Sequence, residues 1–236
     1  MDGLMPLQEL RSELKALANP EAAAFLQKYF KTGRGEYGEG DRFLGIKIPV
    51  LRGLARKYKA LPLEQAVDLL QSPYHEERML ALLLLVRMFE KGDEPLRKRI
   101  YQTYLSHTRF INNWDLVDTS APHIVGAYLE NRSKAPLDKL SRSQSVWERR
   151  IAMLATQRYI KHGEFDDALR IADRLRKDEH DLIHKAAGWM LREIGQKDLV
   201  TLRAFLNQHH ATMPRTMLRY AIEKLAPQER KLYLGR

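Results

Sequence analysis

Five segments of this chain recur at a nearly fixed period, and the period limits the folds open to it. Arg78, Trp114, Arg150, Lys185 and Arg215 each stand ahead of a short run rich in apolar and small residues: MLALLLLV, DLVDTSAP, IAMLATQR, AAGWMLRE and TMLRYAIE. Successive anchors lie 36, 36, 35 and 30 residues apart. A period in this range holds one pair of helices, a unit that cannot bury its apolar face alone and must stack on its neighbours. Stacked pairs form an array in which each repeat touches only the next. The expectation is therefore one domain over residues 1–236, a curved α-solenoid whose anchors all face the same, concave side.

Local patterning agrees with an all-α fold. Apolar residues recur at spacings of three and four, as in Leu7, Leu10, Leu14, Leu17 and in Val50, Leu51, Leu54, Tyr58, while alternation with period two is nearly absent. Pro49 sits where a first-turn proline belongs, Pro62 and Pro73 precede apolar helical stretches, and Gly92, Gly163 and Gly195 follow them. The punctuation suggests roughly fifteen short helices.

Composition narrows the function classes. With 44% apolar and 30% charged residues, the chain has enough apolar surface to offset its conformational entropy and fold. It has no Cys, which excludes disulfides, Cys-ligated metals and a thiolate nucleophile. The longest apolar run, Met79 to Val86, falls far short of the roughly 20 residues a membrane helix needs. The opening Met1-Asp2-Gly3-Leu4 does not read as a signal peptide, so a cytoplasmic protein is expected. Of the net charge of +10, most belongs to residues 141–236, which carry 19 Lys and Arg against 12 Asp and Glu. A skew of this kind points to a polyanionic partner, because clustered cations release counterions from phosphates. Solubility alone is the competing explanation.

Asp118 lies four residues after Trp114, and Trp189 four after Lys185, so each pair shares a helical face. The repeat alignment gives the two pairs equivalent slots, with Arg150 from the repeat between them and Arg192 three residues beyond Trp189. An acid and two indoles are thus expected to meet in a basic groove. Pro122 would clash with the carbonyl of Asp118, so the helix must kink or stop there. Gly188, inside a helical run, costs about 1 kcal/mol relative to Ala unless another helix or DNA comes close. Each residue also has an ordinary explanation: core packing for the indoles, a helix-end ion pair for Asp118, a solvated face for Arg149, Arg150 and Arg158. Trp147 is read as core alone.

Two motifs are set aside. Gly33-Arg34-Gly35-Glu36-Tyr37-Gly38 spells a dinucleotide fingerprint, but a helical pattern from Phe25 to Lys31 precedes it where a strand is needed. Glu36, Glu39 and Asp41 would also repel a pyrophosphate, so the stretch is read as a flexible inter-helix loop. His180 and His184 stand four apart beside Glu179 and Asp181, yet no third metal ligand suggests itself. The other histidines, His75, His107, His123, His162, His209 and His210, are read as scattered surface residues.

Several segments together resemble a known family. Tyr29 with its following loop, Phe43-Leu44-Gly45-Ile46, Asn113-Trp114-Asp115-Leu116-Val117-Asp118, Trp147-Glu148-Arg149-Arg150 and Lys185 to Glu193 are similar, in order and separation, to the AlkD-type DNA glycosylases of the DNA alkylation repair group, built from HEAT-like repeats. The resemblance implies hydrolysis of the N-glycosidic bond of cationic alkylated purines, such as 3-methyladenine and 7-methylguanine, in double-stranded DNA. It implies a monomer with no metal or organic cofactor and no membrane partner. The damaged nucleotide would stay stacked rather than turn into a pocket as in other base-excising enzymes.

By the same likeness Trp114, Asp118 and Trp189 form the catalytic cluster. Arg150 matches a DNA-contacting arginine, and Arg158 and Arg192 fall at phosphate contacts; beyond that likeness, Tyr29, Lys47 and Lys185 are expected to complete the DNA-binding set. A base that already carries positive charge leaves without a protonating acid. One carboxylate then suffices where glycoside hydrolysis ordinarily uses two, and indole faces attract cations by roughly 0.5 to 2 kcal/mol. Lys47 and Ile48 depart from the smaller polar residues expected of the family, and the Gly33 to Asp41 loop is longer. The alternative is a non-catalytic HEAT-like scaffold that binds nucleic acid or an acidic protein through the same groove.

Overall fold

A computed structural model describes residues 5–235; the opening Met1-Asp2-Gly3-Leu4, read above for a leader, lies outside them. The fold is all-α, about 72% helical, with no strand among the described residues. One isolated bridge joins Arg42 to Tyr74. The chain divides into two packed units, the first ending at Ser120 and the second beginning at Ala121.

The first unit contains α1 (Met5–Ala16), α2 (Pro20–Tyr29), α3 (Ile48–Lys57), α4 (Leu63–Leu70), α5 (His75–Lys91), α6 (Glu94–Ser106) and α7 (Trp114–Ala121). Helix α5 is apolar on nearly every side, and α3, α4 and α6 all pack against it, which is how such a helix stays out of water. The stripes read from the sequence form the core except at their ends. Leu7, Leu10 and Leu14 are buried, whereas Leu17, past the end of α1, is 42% exposed. Leu51 and Leu54 are buried, whereas Val50 in the first turn of α3 faces out. Pro49 does stand in that first turn, and Gly92 caps α5.

The second unit begins with a π-helical turn at Pro122–Gly126 and continues through α8 (Ala127–Leu129), α9 (Ala135–Leu140), α10 (Val146–Ala155), α11 (Gln157–Lys161), α12 (Asp166–Leu175), α13 (Asp181–Lys197), α14 (Leu199–His209), α15 (Arg215–Ala221) and α16 (Pro227–Leu234). The break after α7 falls where Pro122 required one, and the chain widens into a π turn there instead of stopping. Helix α10 packs on α13 and α13 on α15, and these helices carry the anchors Arg150, Lys185 and Arg215. Within this unit, then, anchors one period apart sit on helices packed side by side.

Gly188 has the reason its position demanded. A Cβ there would lie 2.4 Å from the carbonyl oxygen of Met217 and 2.5 Å from Cβ of Tyr220, so what comes close is helix α15. Gly195 corrects the sequence reading: it does not follow a helix but lies inside α13, against Leu202 of α14. Asp198 makes the stop instead. Its N–H donates to the Ile194 carbonyl at 2.7 Å, and its side chain accepts from the amides of Val200 and Thr201 to start α14.

Candidate functional site

In the first unit the site is built around the start of α7. Asn113 is fully buried, and its Oδ1 accepts the Trp114 N–H at 2.8 Å. Trp114 opens the helix and is half-buried. Its ring stacks on Phe30 at 5.3 Å and 22°, while Tyr29 meets it edge-on at 6.2 Å. Phe30 in turn stacks on Phe43 at 5.1 Å, and Phe43 on the His75 imidazole at 4.5 Å. A ladder of rings therefore runs from Trp114 to His75, with Tyr29 at its edge, 54% exposed. Such offset and edge-on pairs contribute about 0.5 to 1.5 kcal/mol each beyond their buried area.

Asp118 lies one helical turn beyond Trp114 and is also half-buried. Its charge reaches the phenol of Tyr104, which is pushed well above the usual tyrosine range, chiefly by complete burial and further by Asp118. A hydrogen bond of 2.9 Å between the Tyr104 and Ser120 hydroxyls works in the opposite sense. Tyr104 thus stays a neutral phenol behind the helix that carries the acid.

The first turn of α5 overturns one sequence expectation. His75 is not a surface residue but is 3% exposed, and His75, Glu76, Glu77 and Arg78 are buried in a row. Each has a partner, as buried charge requires. The His75 ring bonds Asp41 through Nδ1 and Asp115 through Nε2, both at 2.8 Å. Burial disfavours its charge, but the two carboxylates outweigh that and push its pKa up to about 9, so it is an imidazolium at neutral pH. Arg78 gives Nη2 to Asp41 at 2.5 Å and Nη1 to the Ser72 carbonyl at 3.0 Å. Burial would raise the Asp41 carboxyl, yet His75 and Arg78 together hold it below the usual range. Glu77 accepts from Arg11 on α1.

Glu76 organises the loop before α3. Its carboxylate accepts the backbone amides of Leu44, Gly45 and Ile46 at 2.8, 2.8 and 3.2 Å. Gly45 takes a φ of +83°, and a Cβ there would lie 2.1 Å from the Asn19 carbonyl oxygen, so no other residue fits that approach. The preceding stretch is likewise held rather than loose: Glu36 and Glu39 accept the amides of Gly33 and Gly35, and Asp41 is the buried anchor just described. The contacts made by Asp41, His75 and Glu76 across this region span 30 to 40 residues of sequence, which is why local pattern did not show them. The available signal was four polar residues heading an otherwise apolar helix.

Residues of the ladder also line a largely apolar pocket of about 320 Å³, where Tyr29, Phe30 and Phe43 are joined by Phe25, Ile48 and Met79 and by the polar His75, Asp115 and exposed Lys47. Of the residues singled out from the sequence, the first unit thus groups Tyr29 with Trp114 and Asp118 at α7, and places Lys47 at the pocket.

The second unit holds the remainder. Trp189 is half-buried and donates Nε1–H to Glu193 at 2.9 Å. Arg192 pairs with Glu223, Lys185 with Asp181 at 2.8 Å, and Arg158 forms two bonds of 3.0 Å to Glu130. Arg150 is 5% exposed and gives Nη1 to the Leu182 carbonyl at 2.6 Å, which joins α10 to α13. Arg149 binds Asp178, and Trp147 is core, as read. His180 caps α13 and His184 bonds the Asp178 carbonyl. No group of three or more His, Cys, Asp or Glu among the described residues is placed to hold a metal ion.

One unit thus carries an aromatic and carboxylate helix start, and the other a half-buried indole bonded to Glu193 together with cations paired to carboxylates. The family model described as DNA alkylation repair enzyme matches residues 10–225, and the chain belongs to that family. No curated protein matches it in sequence. Solved structures share its fold, among them the following three. A predicted DNA alkylation repair enzyme from Enterococcus faecalis superposes with a TM-score of 0.70 at 19% identity, covering 89% of this chain and 97% of that one. AlkD2 from Streptococcus mutans gives 0.57 at 18% identity, covering 86% and 97%. The smu.31 protein of Streptococcus mutans UA159 gives 0.52 at 17% identity, covering 92% and 96%.

Proposed function

We infer that this protein is a DNA glycosylase that hydrolyses the N-glycosidic bond of cationic N3- or N7-alkylated purines in double-stranded DNA. Family membership supports a role in the repair of alkylated DNA. The observation that carries the finer reading is the face of α7, where a half-buried indole braced by Phe30 and Tyr29 stands one turn from the carboxylate of Asp118. A purine alkylated at N3 or N7 is a cation and a ready leaving group. As its bond to the sugar lengthens, positive charge moves onto the deoxyribose, and a fixed carboxylate stabilises that charge. Trp114 supplies a π face that attracts the cationic base, and Trp189 is assigned the second indole.

In this reading Asp118 orients the water that completes the hydrolysis, and no cofactor is needed because the leaving base requires no further activation. Tyr29, Lys47, Arg150, Arg158, Lys185 and Arg192 serve DNA binding. Residues 1–236 act as one repeat domain, a cytoplasmic monomer that leaves the damaged nucleotide stacked. Among the described residues no helix is long and apolar enough to cross a membrane.

The test is base release. Incubated with methylated duplex DNA, the protein should liberate methylated purines, and Asp118→Asn should abolish release while leaving DNA binding largely intact. Undiminished release by that variant removes Asp118 from its role, and no release by the wild type leaves a DNA-binding scaffold.

A further inference from the structure

The geometry points to His75 as a positioning residue for base excision: clamped between Asp41 and Asp115, it fixes the first turn of α7 and thereby the attitude of Trp114 and Asp118. The assignment rests on the proposed glycosylase reading for its kinetic consequence, but not for its structural one.

Two independent routes lead from His75 to α7. The first is the hydrogen bond of 2.8 Å from Nε2 to Asp115, the residue next to Trp114 and three before Asp118. Asp115 also accepts its neighbour's amide, that of Leu116, through Oδ1 at 2.9 Å, so one carboxylate ties the helix start to the imidazole with both oxygens. The second route is the stack of rings: His75 lies 4.5 Å from Phe43 and 5.1 Å from Phe30, and Phe30 lies 5.3 Å from Trp114. A cation against aromatic faces adds electrostatic attraction to packing.

The far end of the clamp is rigid. Asp41 holds His75 Nδ1 with one oxygen and Arg78 with the other, and Arg78 is further bound to the Ser72 carbonyl. All of these groups belong to the first unit. The charged groups facing the imidazole are therefore Asp115 from α7 and Asp41 from the loop, with Arg78 behind Asp41 on α5 itself. Helix α7 is short, and only a partner outside it can set the direction of its first turn. A misplacement of about 1 Å at a reacting group is enough to lower a rate by about two orders of magnitude.

The experiment compares wild type with His75→Gln and with Asp115→Asn, which opens the clamp from the α7 side. Single-turnover base release from methylated duplex DNA, the DNA Kd, and amide hydrogen exchange over residues 113–118 are measured together. The expected result is a release rate at least tenfold lower, a Kd changed by less than about twofold, and faster exchange confined to the start of α7. Wild-type rate and exchange in both variants overturn the assignment, as does loss of rate that merely follows loss of DNA binding. If His75→Gln does not fold, Asp115→Asn decides by the same measurements. Failure of the wild type to release any base counts against the glycosylase reading alone, and exchange over 113–118 then decides the positioning role.

Discussion

Gly188 of α13 and Met217 of α15 approach so closely that a Cβ on the glycine would lie 2.4 Å from the methionine carbonyl oxygen. Backbone cannot swing aside as a side-chain end can. Gly188→Ala should therefore destabilise the protein by about 1 to 3 kcal/mol, despite the better helix propensity of alanine. Gly195→Ala in the same helix meets mainly the Leu202 side chain and should stay within about 1 kcal/mol of wild type. Urea midpoints of the two variants test the contrast.

The clamp on His75 sets a pH dependence. The ordinary imidazole value is 6.5 and the folded value about 9, so the charged clamp contributes its full stability below the lower value and loses it as the pH climbs through the upper one. Thermal midpoints of the wild type should fall across that alkaline window, and His75→Gln should show a flatter profile there. A wild-type profile no steeper than that of the variant would contradict the assigned charge.

Glu76 satisfies three amides at once, those of Gly45 and Ile46 buried and that of Leu44 partly so, and Glu76→Ala leaves all three without their acceptor. At about 1 to 3 kcal/mol for each unsatisfied group, the loss should be at least about 3 kcal/mol. Protease cleavage near residues 43–46 should accelerate with it, since the loop loses the carboxylate that holds its backbone.

Arg158 and Arg150 should behave differently in DNA binding. Arg158 is half-exposed and paired with Glu130, so Arg158→Ala should lower the slope of log affinity against log salt by about one, with little change in stability. Arg150 ties α10 to α13 from a buried site, so Arg150→Ala should cost stability as well as affinity. Salt titrations alongside denaturation curves separate the two.

What the sequence made legible was local. Helical spacing marked Leu7, Leu10 and Leu14 as core, Pro122 marked the break after α7, and Gly188 marked a close approach, because in each case the signal sits in the helix itself even where the partner, Met217 for Gly188, is distant. The anchors Arg150, Lys185 and Arg215 announced helices that pack on one another. The His75 clamp is hidden because its partners stand 34 and 40 residues away, and a polar side chain reads locally as an exposed one. Gly195 misled for the opposite reason: it looks like a stop, but the capping is done by Asp198.

The carboxylates that hold Arg158, Lys185 and Arg192 act as tethered counterions. A phosphate arriving at any of these cations would have to displace a rival that cannot diffuse away and that returns once the phosphate departs. On the glycosylase reading, grip on undamaged backbone would thereby be kept loose from within, as suits a molecule that must travel along much duplex to meet a rare lesion.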